Sequence, residues 1–129
     1  ISSLSAVADQ IVVTAPAGFE DQIRALVGNA VTVVTGGATR SDSVRAGLAA
    51  IQGADFVLVH DAARALATRE LAASVVAALR GGDVAVVPAL PVVDTLQNVG
   101  ADGYVVTAID RTPLRRIQTP QGFSYAVLK

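Results

Sequence analysis

Short β-branched runs that stop on proline, glycine or a charged turn alternate with segments of helical spacing, and this alternation limits the fold more than any other feature of the chain. Ile11 to Ala15 ends at Pro16, Val31 to Val34 closes at Gly36-Gly37, Phe56 to Val59 stops at His60-Asp61, and Val84 to Val87 ends at Pro88. Runs this short, rich in valine and isoleucine, read as buried strands. Between them, Phe19 to Val27 spaces Phe19, Ile23, Leu26 and Val27 as a helix does. Ser41 to Ile51 sets Val44, Leu48 and Ile51 on one face behind Ser41 or Asp42 as cap, and Arg69 to Leu79 runs up to Gly81-Gly82.

Strands and helices that alternate through short connections predict an α/β, Rossmann-like architecture, a mainly parallel sheet with flanking helices and right-handed crossovers. The rhythm breaks at Pro91. From there to Arg111, two β-like runs, Val93 to Val99 and Tyr104 to Ala108, surround Gly100-Ala101-Asp102-Gly103, which signals a hairpin. A lone two-stranded hairpin is marginal in water, so residues 91–111 are expected to form a protruding arm that packs on a partner subunit. The 129 residues suffice for one domain with an ordinary core. Ile1 to Val7 reads as the tail of an amphipathic helix, and the chain is expected to be a piece of a longer one.

Composition narrows the chemistry. Zero cysteines and one histidine remove disulfides, thiolate catalysis and a protein-only zinc site, so any metal is expected to be hard and oxygen-bound. A formal net charge of −1 with scattered basic residues offers no stripe for nucleic acid. No apolar run approaches the roughly 20 residues that cross a bilayer, and no secretory leader pattern is present. The expectation is a cytoplasmic protein with a small-molecule ligand.

Polar groups gather where the strands end, as ligand sites do in open α/β sheets. Gly36-Gly37-Ala38-Thr39-Arg40-Ser41-Asp42-Ser43 opens a helix, so its backbone N–H groups can face a nucleobase or an anion, or form an ordinary capped connection. It lacks the Gly-Lys-Ser/Thr ending of a P-loop. Asp61, before Ala62-Ala63-Arg64, can hold a Mg²⁺ that also grips phosphate, or cap a turn and pair with Arg64. His60 reads as a packed strand-end residue rather than a catalytic base, since no serine or carboxylate nearby in sequence forms a triad with it. Asp94-Thr95 and Asp110-Arg111 bracket the hairpin, and antiparallel pairing brings Thr95 near Arg111 at its base. That pair can hold a phosphate, or Arg111 can be a solvated arginine beside a turn aspartate. Thr119-Pro120-Gln121-Gly122-Phe123 breaks the chain before a last helix, with Thr119 either a hydroxyl donor or a helix-entry residue.

Taken in order, Gly36-Gly37-x-x-Arg40-x-x-Ser43-Val44, Val59-His60-Asp61-Ala62-Ala63-Arg64, Asp94-Thr95, Asp110-Arg111 and Thr119-Pro120-Gln121-x-Phe123 resemble the 2-C-methyl-D-erythritol 4-phosphate cytidylyltransferase family of non-mevalonate isoprenoid biosynthesis, over almost the whole chain. The resemblance implies transfer of CMP from CTP to methylerythritol phosphate, with Mg²⁺ on the triphosphate and release of pyrophosphate. It implies that Gly37, Ala38 and Ser43 contact cytosine, that the backbone at Ala62 meets the ribose, and that Asp61 binds the metal. Thr95 and Arg111 then hold methylerythritol phosphate in the neighbouring subunit of a homodimer, and Thr119 joins that phosphate site. The family's opening glycine-rich loop with its arginine, the lysine after it, and the C-terminal segments with a second metal-binding aspartate and a further lysine have no counterpart in these residues. Two other readings remain beside it: a cytidylyltransferase acting on another alditol phosphate such as ribitol phosphate, and an inactive nucleotide-binding or dimerisation module.

Overall fold

From Val12 to Val86 the chain follows its hydrophobic rhythm. In the computed structural model, which describes residues 1–128, α1 (Ser2–Ser5) precedes β1 (Val12–Ala15), α2 (Glu20–Val27), β2 (Thr32–Thr35), α3 (Arg40–Ala49), β3 (Phe56–Val59), α4 (Arg69–Arg80) and β4 (Ala85–Val86). There follow β5 (Ala89–Pro91), β6 (Leu96–Val99), β7 (Val105–Ile109), β8 (Arg115–Ile117), β9 (Gln121–Ser124) and α5 (Tyr125–Leu128). Among the described residues no helix is long and apolar enough to cross a membrane.

Among the described residues the strands form four small sheets, and the expected mainly parallel sheet is corrected. Only β1 and β2 pair in parallel, with Val13 opposite Val33. The second sheet has the order β3-β9-β4, in which β9 runs antiparallel to both neighbours. The remaining pairs, β5 with β8 and β6 with β7, are also antiparallel. The physical reason lies in β9. Pro120 and Gly122 read as chain breakers, yet Gly122 sits mid-strand because a bare backbone is what lets α4 close onto the sheet there.

Helix α4 buries Ala72, Val75 and Leu79, one stripe at helical spacing, and these join Ala15, Val31, Val33 and Val57 as the apolar core. A Cβ on Gly122 would run into Val75 Cγ1 and come within 2.9 Å of Leu79 Cδ1 and 3.3 Å of Leu58 Cδ2. Gly122→Ala is therefore expected to overpack this seam and lower stability by about 1–3 kcal/mol. Urea denaturation checks it, and an unchanged midpoint would mean the seam is loosely packed.

The arm forms as a hairpin. Leu96 faces Ile109 and Val99 faces Val105, with a register irregularity between Asn98 and Val99. At the turn Gly100 N–H donates to the Tyr104 carbonyl at 2.8 Å, and Gly103 takes a positive φ of 82° that suits glycine. Val93, Val99, Tyr104, Val105 and Val106 are exposed on it.

Candidate functional site

Two strand ends build the site. β2 ends at Thr35, and the chain turns through Gly36 and Gly37 into α3, whose start is a capping box. Thr39 Oγ1 accepts the Asp42 N–H at 3.1 Å, while Asp42 Oδ2 accepts the Thr39 N–H at 3.3 Å. The Thr39 hydroxyl, with its backbone N–H and the cation of Arg45, holds the Asp42 carboxyl below its ordinary range. The box is thus complete above an aspartate's usual pKa and is lost only as pH falls through the lowered value.

Ser43 braces the same loop. Its hydroxyl donates to the Thr39 carbonyl at 3.0 Å and accepts the Gly37 N–H at 3.1 Å. Gly37 lies against Asp42 so closely that a Cβ would collide with Asp42 Cβ and crowd the Asp42 backbone carbon at 3.0 Å. Gly37 and Ala38 remain exposed at the rim, where a planar ring can approach main chain.

β3 delivers Asp61. The Asp61 N–H donates to Thr119 Oγ1 at 3.2 Å, and Thr119 Oγ1 lies 3.0 Å from His60 Nδ1. Thr119 is 4% exposed, so its hydroxyl is a buried pin between the β3 end and the segment entering β9. The sequence could offer Thr119 as a donor but not this contact, which spans 58 residues. His60 is half-buried at the strand end.

The Asp61 carboxylate is half-exposed between two guanidiniums. Arg40 donates through Nε at 3.2 Å and Nη2 at 3.0 Å, both to Oδ1, while Arg64 Nε lies 3.6 Å from Oδ2. Arg64 also donates through Nη1 to Gln118 Oε1 at 2.6 Å, and its backbone N–H closes a turn by donating to the Asp61 carbonyl at 2.9 Å. The turn-and-pair geometry expected for Asp61 and Arg64 is thus present. Arg40, which carried no role in the sequence, joins the Gly37–Ser43 loop to Asp61, with exposed Ala62 beside it.

Among the described residues no three His, Cys, Asp or Glu side chains gather to hold a metal. The accessible Asp61 carboxylate nevertheless suits one place on a Mg²⁺ whose other positions are filled by phosphate and water, the usual way Mg²⁺ is held.

Thr95 and Arg111 lie at the exposed base of the arm. The β6–β7 register carries Asp94-Thr95 and Asp110-Arg111 alongside one another, and Arg111 Nη1 donates back to the Val93 carbonyl. The Thr112 N–H, donating to Asp110 Oδ1 at 2.9 Å, keeps that carboxyl below its ordinary range. Hydrogen bonds and ion pairs among the described residues do not join Thr95 or Arg111 to the Asp61 cluster.

A family model described as IspD, 2-C-methyl-D-erythritol 4-phosphate cytidylyltransferase, matches residues 2–129. Proteins carrying the same name from Rhodococcus jostii (strain RHA1) and Nocardia farcinica (strain IFM 10152) are 50% and 52% identical to the chain over 125 residues. These matches cover 97% and 95% of this chain, but 55% and 54% of the relatives. The chain therefore spans about half the length of the curated relatives it matches. A solved structure of 2-C-methyl-D-erythritol 4-phosphate cytidylyltransferase from Thermus thermophilus is similar with a TM-score of 0.81 at 38% identity, covering 98% of this chain and 58% of that one. The 4-diphosphocytidyl-2C-methyl-D-erythritol synthase of Anaerococcus prevotii DSM 20548 gives a TM-score of 0.83 at 31% identity, covering 98% and 60%.

Proposed function

Since the chain belongs to the 2-C-methyl-D-erythritol 4-phosphate cytidylyltransferase family, we propose that the protein transfers CMP from CTP to 2-C-methyl-D-erythritol 4-phosphate and releases pyrophosphate. One observation carries the reading beyond family membership: the glycine loop braced by Ser43 and the Asp61 turn are drawn together through Arg40. A nucleobase seat and a phosphate-and-metal seat at adjoining strand ends are what such a transfer requires.

A phosphate oxygen of methylerythritol phosphate attacks the α-phosphorus of CTP, and the bond from that phosphorus to the bridging β-oxygen breaks as pyrophosphate leaves. Such chemistry needs in-line positioning and charge stabilisation rather than a covalent intermediate on the protein. Gly37 and Ala38 present main chain to cytosine in this reading, Ser43 keeps their loop closed, and the backbone at Ala62 faces the ribose. Asp61 is the carboxylate ligand of Mg²⁺, which when bound neutralises triphosphate charge. Thr119 serves the phosphate site by pinning the Asp61 turn.

Thr95 and Arg111 would be the fork that holds the methylerythritol phosphate in the partner's site of a homodimer. The exposed valines and Tyr104 of the arm support that arrangement, because an apolar hairpin of this size gains stability when covered. The cytoplasm is the proposed location, in keeping with a cysteine-free chain that acts on phosphorylated metabolites.

Pyrophosphate release by the full-length protein, given CTP, Mg²⁺ and methylerythritol phosphate, tests the proposal. Turnover of ribitol phosphate without turnover of methylerythritol phosphate would move the substrate to another alditol. Nucleotide binding with no turnover of either would leave a nucleotide-binding or dimerisation module.

A further inference from the structure

Arg40 occupies a position that helix physics does not favour. It is the first residue of α3, where the positive end of the helix dipole disfavours a cation, and Asp42 in the same turn is committed to Thr39 and Arg45. Its side chain instead crosses 21 residues of sequence to Asp61. Both groups are substantially exposed, 59% for Arg40 and 37% for Asp61, and ion pairs so exposed add little to stability. The pair therefore has little structural justification, and it lies on the one carboxylate proposed to take the metal.

The grip is also lopsided. Two Arg40 donors share the single oxygen Oδ1, while Arg64 faces Oδ2. A bare divalent cation approaching either oxygen meets a permanent positive charge within ion-pair distance. A cation that arrives with a polyphosphate brings the negative charge that a guanidinium fork prefers. We infer that Arg40 is a positioning residue that guards Asp61: it keeps the carboxylate from free metal ions and moves onto the phosphates when a metal–nucleotide complex enters. The inference rests on the proposed role of Asp61 as metal ligand.

The guard has an opposite effect on the two ligands, which a merely structural contact would not have. In the full-length protein, Mn²⁺ replaces Mg²⁺ so that binding is read by electron paramagnetic resonance, with and without CTP. Arg40→Gln is expected to tighten binding of Mn²⁺ alone by about fivefold, from removal of one charge a few ångströms away. The same variant is expected to weaken binding of Mn²⁺–CTP by roughly tenfold, from loss of the charged fork. Arg45→Gln, further along α3, controls for charge loss alone. Losses of both affinities together would make Arg40 a simple brace for Asp61. Unchanged or undetectable binding of Mn²⁺ alone by Arg40→Gln, or a Mn²⁺–CTP loss no greater than that of Arg45→Gln, would equally overturn the guard. Asp61→Asn separates the two levels: if it leaves Mn²⁺–CTP binding intact, the metal-ligand reading itself falls, whereas a loss there without opposite shifts in Arg40→Gln removes only the guard.

Discussion

Asp61→Asn is expected to cut kcat/KM of the full-length protein by about a thousandfold or more, the scale on which loss of a preorganised charge-stabilising group is felt. Folding should hardly change. The amide is nearly the shape of the carboxylate and keeps an oxygen for the Arg40 donors, and the backbone N–H of residue 61 still reaches Thr119 Oγ1. What disappears is one negative charge flanked by two guanidiniums, in a half-exposed setting where the pairs themselves are worth about 0–1 kcal/mol. Activity, metal-dependent CTP binding and thermal unfolding measured together check the prediction. If metal dependence survives the substitution, Asp61 is a turn residue paired with Arg64 and the metal is held elsewhere. If activity and the unfolding temperature collapse together, the carboxylate holds the fold rather than the ligand.

How the site could be read from sequence follows from how far its contacts reach along the chain. The Gly37 to Ser43 loop was legible as a glycine-opened helix start because those signals act within one turn, although the cap is Thr39 rather than Ser41 or Asp42, with Asp42 instead closing the box from the third helical position. Asp61 was legible because an apolar run stopping on a charged turn marks the end of a buried strand. Arg40 was not, since nothing local connects it with a carboxylate 21 positions later; only its placement at the unfavourable end of a helix could have drawn notice. The Thr119 pin and the Arg64–Gln118 bond escaped for the same reason, being contacts between the β3 end and a segment more than fifty residues on.

The fold divides in the same way. β-branched runs located the first strands to within about a residue, but strand direction depends on pairing, which periodicity does not encode. Gly122 shows this best. A glycine among proline and glutamine looks like a turn, and only the presence of Val75 and Leu79 above it reveals a strand that a helix must approach closely. The hairpin was visible because both its arms and its Gly100 to Gly103 turn are contiguous in sequence.

Mixing two inactive proteins should restore activity if the arm acts across a dimer. Arg111 lies at the base of β6–β7, joined to the Asp61 cluster of its own chain by no hydrogen bond or ion pair among the described residues, and the hairpin above it exposes Val105, Val106 and Tyr104, the last 76% accessible. Only one of its N–H donors is directed at the Val93 carbonyl, and a guanidinium carries five. Arg111→Ala should raise KM for methylerythritol phosphate and lower kcat/KM by at least about a hundredfold, with CTP binding nearly intact, because only the substrate phosphate loses its fork. Asp61→Asn has the complementary defect. If each site combines Asp61 of one subunit with Arg111 of the other, a mixed dimer holds one site with both defects and one with neither. Random exchange of equal amounts then yields about a quarter of wild-type activity, since half the dimers are mixed and each has one sound site. Subunit exchange is verified by mass-tagged protomers, and activity is followed as it proceeds. Verified heterodimers that remain inactive would place Arg111 in the site of its own subunit, and the arm would then join the subunits without completing the partner's chemistry.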